Sequence, residues 1–332
     1  MQKLWLFCCL VFMTPAWCAP DVVFFNPGRA DESFWGDVDS LLQEAAAELQ
    51  LQLLTEHAER NHFQMINQVQ RLAAARELPR YVILVNEKST GLSMLEALYG
   101  KPVYVQFVLN DISLGQRSEL LKDPHWQRFL LPGLVPDNEA IGRQTATALL
   151  ARAALSRPLA LLISGDRLTP ASVERTRGAE AVLQQGAAVT QTIYGLWQEE
   201  RSYQQFKVLL VRYPALALVW TANDHMLFGA LRAAQEAGKV PGKDIFFSSF
   251  NTSARVLALR RQGKLSVLAG GHLLTAAVAL ARLKRHRDTG IYPADLPQLF
   301  WLLEPDTPMF NALEQRDWQT LLALTLTMET PS

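Results

Sequence analysis

The chain has 332 residues, 49% of them apolar, so it can bury a large core and at this length favours two lobes over one. Its 32 Lys and Arg balance 32 Asp and Glu, which argues against the basic face that nucleic-acid binding needs. Its cysteines, Cys8, Cys9 and Cys18, all lie in the first 20 residues; a chain trimmed of that segment has no disulfide, thiol nucleophile or Cys-based metal site.

Those first residues read as an export leader, placed at 1–19. Lys3 gives the positive start, LWLFCCLVFM the apolar stretch, and Ala16 and Ala19 the small residues near a cut. The stretch is too short for a membrane span of about 20 residues. Trp17, directly before Cys18, fits lipid attachment at that cysteine poorly.

After the leader, strands and helices alternate. VVFF is a strand, and residues 34–50 are a helix with Val38, Leu41, Leu42, Ala45 and Leu49 on one stripe. LQLLTEH is a strand, FQMINQVQRLAAARE a helix, YVILV a strand, 92–99 a helix and PVYVQFV a strand. The stretch 104–136 is weaker and reads as the crossing between lobes. The pattern then restarts with a helix over 138–154, a strand over 159–163 and a helix after Pro170. A strand over 188–193, a helix over 201–213, a strand over 216–220 and a helix over 224–237 follow. DIFFSSF is a strand, 253–262 a helix, LSVLA a strand and 273–287 a helix. Near-continuous apolar strands with helices between them predict α/β lobes, each a parallel sheet, with about five units before residue 130 and five after.

In such sheets ligands sit beyond the carboxyl ends of the strands. Phe34 and Trp35 follow the first strand, where aromatic faces can pack on the C–H faces of a sugar ring. Asn86, Gln106, Asn223 and Asn251 lie on or at the ends of later strands and offer both donors and acceptors to hydroxyls. Each can instead be a helix cap, the role expected of Asp224. The six histidines show no metal spacing, and neither nucleophile elbow, dinucleotide fingerprint nor phosphate loop is present, so no enzyme, cofactor or metal is expected.

The segments YPALALVWTANDHMLFGALRAAQEAGK, VPDNEAIGR and VERTRGAEAVLQQ make the chain resemble the type I periplasmic binding proteins, in particular the ribose-, galactose- and autoinducer-2-binding branch of the ABC sugar transporter substrate-binding proteins. The resemblance implies two Rossmann-like lobes joined by a three-stranded hinge, with a first lobe of 20–134 and 272–297 and a second of 135–271 and 298–332. It implies a monomeric periplasmic protein that closes on a small polar ligand and presents it to an inner-membrane ABC permease or, alternatively, a membrane sensor. It places Glu32, Phe34, Trp35, Asn86, Arg175 rather than Arg177, Trp197, Asn223 and Asn251 on ligand positions; Arg177 is expected to pair with Glu174 or Glu180 on its own helix. The chain departs where a ligand Asp-Arg pair gives way to Phe107 and Val108, with Gln106 as a substitute. Asn251 replaces a carboxylate, and Gly271 stands where Gln is usual, with His272 beside it. These changes predict a more amide-like site, suited to a polyol, a modified sugar or an oxidised furanose-type signal.

Overall fold

A computed structural model describes residues 19–293 and 298–327. The leader up to residue 18 and residues 294–297, at the expected end of the first lobe, lie outside those residues. In chain order the elements are β1 (Val22–Asn26), α1 (Ser33–Glu48), β2 (Leu53–His57), α2 (His62–Ala73), β3 (Tyr81–Leu84), α3 (Gly91–Leu98), β4 (Tyr104–Phe107), α4 (Leu114–Leu120) and α5 (Pro124–Phe129). There follow α6 (Asn138–Ala153), β5 (Leu159–Ser164), α7 (Pro170–Gly186), β6 (Ala188–Tyr194), α8 (Glu199–Arg212), β7 (Leu216–Thr221), α9 (Asp224–Glu236), β8 (Phe246–Phe250), α10 (Ala254–Arg261), β9 (Val267–Gly270) and α11 (Leu274–Thr289). The chain ends with β10 (Trp301–Leu302), α12 (Pro308–Gln315) and α13 (Trp318–Thr327).

The strands form two sheets. The first is parallel in the order β2-β1-β3-β4; the second runs β10-β9-β8-β7-β5-β6, parallel except for β10. Four and six strands replace the expected five and five. The place of a fifth strand in the first sheet is taken by single bridges at Leu130 and Leu134.

Strand period two explains why β1 and β3 are apolar throughout. Val22, Phe24, Tyr81 and Ile83 face the core that holds α1, whereas Val23, Phe25, Val82 and Leu84 face a second core with Met65, Met94 and Trp126. The stretch 104–136 is not simply a crossing. It holds β4, α4 and α5, and Trp126 and Leu130 close the second core. The passage to the second lobe begins only after Leu134.

Two glycines let α6 and α7 pack closely. A β-carbon on Gly142 would lie 2.2 Å from the Arg175 carbonyl oxygen, and one on Gly178 would lie 2.1 Å from that of Glu139. This contact fixes the helix that carries Arg175. The tail divides between the lobes: α12 packs on α10, whereas α13 packs on α11 and α1. Arg316, between those two helices, forms an ion pair with buried Asp37 of α1.

Candidate ligand site between the lobes

The carboxyl ends of both sheets face one cleft. Its inner chamber is lined by Glu32, Phe34, Trp35, Arg60, Glu87, Leu109, Asn110, Pro136, Thr169, Ala171, Arg175, Trp197, Asn223, His225, Asn251 and His272. It measures about 60 Å³; on that scale one water needs about 10–15 Å³, so there is room for a few waters or the polar centre of one small ligand. Outside it the cleft opens into a vestibule of about 1130 Å³, with Arg29, Asp166, Arg167 and Arg201 on its walls.

The chamber is narrow because the lobes touch. Asn110 Oδ1 accepts from Ala171 N at 2.9 Å, Ser89 Oγ donates to Leu168 O at 3.1 Å, and Ser33 Oγ lies 3.2 Å from His225 Nε2. All three contacts join the first lobe to the second.

Each aromatic is set differently. Trp35 is 4% exposed, and a β-carbon on Gly28 would meet its side chain at 2.3 Å, so most of it serves as a staple of the β1–α1 corner. Phe34, edge-on to Trp35 at 5.1 Å, stacks on His272 at 4.7 Å, and His272 stacks on Phe300 at 4.3 Å. From the second lobe, Trp197 occupies a left-handed backbone position, φ 65°, with its ring over Gly165. Asn251 is also left-handed, φ 82°, which an Asn tolerates better than most residues. Non-glycine residues with positive φ at Lys88, Ser89 and Leu109 also surround the cleft, an arrangement frequent at binding sites.

Arg175 reaches the chamber from α7. Its Nε donates to Asn138 Oδ1 at 2.8 Å and its Nη1 to Ala222 O at 3.3 Å, while the guanidinium lies over Phe250 and Phe300. It is 6% exposed, and burial pushes its pKa down to about 9. Burial, helped by the Arg175 charge, holds His272 well below the usual histidine range, so its ring is neutral.

On the opposite wall Glu32 is bonded by Arg60, at 2.9 Å from Nε. Burial works most strongly against the charge of Arg60, but the bond and charge of Glu32, together with the charges of Glu87 and Asp166, outweigh it, leaving the pKa above its ordinary value. Glu87 has only a 3.5 Å contact from Thr169 Oγ1 and Arg60 at 4.0 Å; burial raises its pKa, with Arg60 opposing.

Glu32, Phe34, Trp35, Arg175, Trp197, Asn223, Asn251 and His272 thus meet in one chamber. Asn86 and Gln106 do not line it. Asn86 turns inward, accepting from Gly91 N at 2.7 Å and donating to Asp111 O at 2.8 Å, which secures the start of α3. Gln106 lies inside β4, fully buried, and donates to Tyr292 Oη and to Pro132 O.

Two smaller expectations change as well, and Gly271 finds its reason. Asn223, not Asp224, caps α9, its Oδ1 accepting from Met226 N at 2.9 Å. The Asp224 carboxylate instead accepts from Asn251 Nδ2 at 2.8 Å and from Ser253 Oγ at 2.5 Å. Arg177 pairs with Glu139 of α6 rather than on its own helix. Gly271 has φ 88°, and Trp301 packs where a side chain would go, which explains the glycine there.

Arg60, Glu87, Asn110, Thr169 and His225 are liners that the sequence reading passes over. Glu87 and Asn110 are the polar residues just beyond the third and fourth strands, a little further on than the two expected there.

Residues 22–281 match the family described as a periplasmic binding protein domain. Among solved structures, a periplasmic sugar-binding protein from Pseudomonas fluorescens is 32% identical, the match covering 94% of this chain and 95% of that one with a TM-score of 0.81. The Caulobacter myo-inositol binding protein, 20% identical, matches over 89% of this chain and 94% of that one with a TM-score of 0.71. The periplasmic binding protein component of the arabinose ABC transporter from Shewanella sp. ANA-3, 16% identical, matches over 94% and 98% with a TM-score of 0.72, and these last two likenesses concern the fold alone. A search of curated proteins gives no match.

Proposed function

The chain belongs to the periplasmic binding protein family, and we propose that it captures one small sugar or polyol between its lobes and delivers it, unaltered, to an inner-membrane ABC permease. The observation that carries this reading is the chamber itself. Aromatic rings from both lobes, Phe34, Trp35 and Trp197, share it with Arg175, Asn223 and Asn251. Rings supply apolar faces for C–H groups, and the amides and guanidinium supply polar partners for oxygens. The likeness to a periplasmic sugar-binding protein supports the same reading and favours transport over a sensor output.

Residue roles follow from position. Phe34 and Trp197 bracket the ligand, Arg175 and Asn223 bind its oxygens from the second lobe, and Glu32 and Glu87 accept from its hydroxyls in the first. We further propose that the mature protein is a periplasmic monomer released from its leader. Calorimetric titration with a panel of aldoses, alditols and inositols tests the function. One-to-one binding by at least one member, abolished or weakened in Trp197→Ala, is the expected result; a panel with no binder contradicts it.

A further inference from the structure

Two walls of the chamber differ in the bonds they have left to give. On the second lobe Arg175 has five N–H donors, of which two are engaged, both by neutral oxygens of Asn138 and Ala222. Among the described residues no carboxylate bonds it. Glu174, its chain neighbour, supports its charge through its field, and the Glu174 carboxyl bonds Asn138. Asp224 is occupied by Asn251, Ser253 and the backbone of His225.

Two more donors stand on the same wall. The Asn223 amide is oriented by its cap bond, Oδ1 to Met226 N, which leaves Nδ2 to the cavity. Trp197 Nε1 is buried with no partner among the described residues. Against these stand two acceptors: Asn251 Oδ1, since Asn251 Nδ2 is held by Asp224, and one ring nitrogen of the neutral His272. His272, 2% exposed, has an unbonded Nδ1 and is neutral, so it adds no second cation. The first-lobe wall is the reverse, with Glu32 and Glu87 as acceptors and Arg60 between them.

A buried cation without an ion-pair partner is costly, and a donor-rich wall is best satisfied by a group that only accepts. A carboxylate is such a group, and it pairs with a guanidinium through charge-assisted bonds. Resting on the sugar-binding reading above, we propose that the ligand is an oxidised sugar, a uronic or aldonic acid. Its carboxylate lies against Arg175, Asn223 and Trp197, and its hydroxyls face Glu32 and Glu87.

The test is a calorimetric titration of matched pairs: galacturonate with galactose, glucuronate with glucose, gluconate with glucitol and arabinonate with arabinitol. At least one acid should bind about tenfold or more tightly than its neutral partner, the size of one unpaired charge-assisted bond. Arg175→Gln should remove that preference, cutting acid affinity by about 30-fold or more and by at least tenfold more than it cuts the affinity for the neutral partner. Arg177→Gln, whose residue pairs with Glu139 outside the chamber, should keep the preference. Circular dichroism and melting of Arg175→Gln confirm that it is folded, and acid extraction of the wild-type protein followed by mass spectrometry identifies any carried ligand without using the variant. Neutral members binding more tightly than every acid, or a carried ligand with no carboxyl group, overturns this inference and leaves the sugar-binding function standing. Binding by neither series overturns both.

Discussion

At Trp197 the indole packs so closely on Gly165 that a β-carbon there would sit 2.2 Å from the ring. The glycine is what lets the ring lie at the chamber wall. Trp197→Ala should therefore leave the fold intact and weaken sugar binding by roughly 1–3 kcal/mol, the size of one well-packed aromatic anchor. Titration calorimetry beside a thermal melt checks this, and full affinity in a folded variant would remove Trp197 from the site. At this scale the sequence was informative where a residue type has one use. Paired rings after a strand were readable as cleft residues, and Arg175, with Arg177 two residues on, was singled out by the family resemblance. Asn86 and Gln106 were not, because an amide at a strand end serves a backbone cap or a buried network as readily as a ligand. The distinction depends on where the amide turns, which spacing does not reveal. Arg60 was invisible for another reason: its place in the chamber depends on a left-handed loop, φ 60°, and on Glu32 from a different loop.

Among elements, hydrophobic periodicity made the long helices and strands legible, since each buries a continuous stripe or face. It failed for α4, which buries no residue, and for α5, which buries only Trp126. Short helices of that kind are held by caps rather than by a stripe. Ser113 and Gln116 form a capping box on α4, and Asp123 accepts from His125 N on α5. The α6–α7 pair makes a sharper prediction. Gly178→Ala places a methyl group against the Glu139 carbonyl and must spread the helices, which should destabilise the protein by about 1–3 kcal/mol. Because Arg175 lies on the displaced helix, ligand affinity should fall as well. Urea unfolding together with titration checks both; a variant as stable as the wild type would mean that the two helices are not packed as described. On α2, Asn61 accepts from the backbone of Phe63 and Gln64, so Asn61→Ala should cost about 1 kcal/mol with no change in ligand binding.

For the molecule as a whole, the tail and the cleft both bear on stability. Asp37 is buried beneath Arg316, and burial raises its pKa to about 6 from an ordinary 3.8, with Arg316 opposing the shift. Between those two pH values the folded chain holds a proton that the unfolded chain releases. The Asp37 contribution to stability is therefore most favourable below about pH 4, declines as pH rises to about 6 and is constant above, a change of about 3 kcal/mol. The difference in unfolding free energy between wild type and Asp37→Asn across that range should show this decline; parallel curves would place the titration elsewhere. The two-lobe plan itself was readable from the alternation of strands and helices. The division of the tail between lobes was not, since α12 and α13 carry apolar faces that either lobe could cover. The central claim is that the lobes close on one ligand, and the contacts of Asn110 with Ala171, Ser33 with His225 and Ser89 with Leu168 then belong to the closed form. Small-angle scattering of the ligand-free protein and of the protein saturated with the sugar that titration identifies tests this most directly. Closure predicts a smaller radius of gyration with ligand and a scattering curve matching the present structure; identical curves in both states would contradict it.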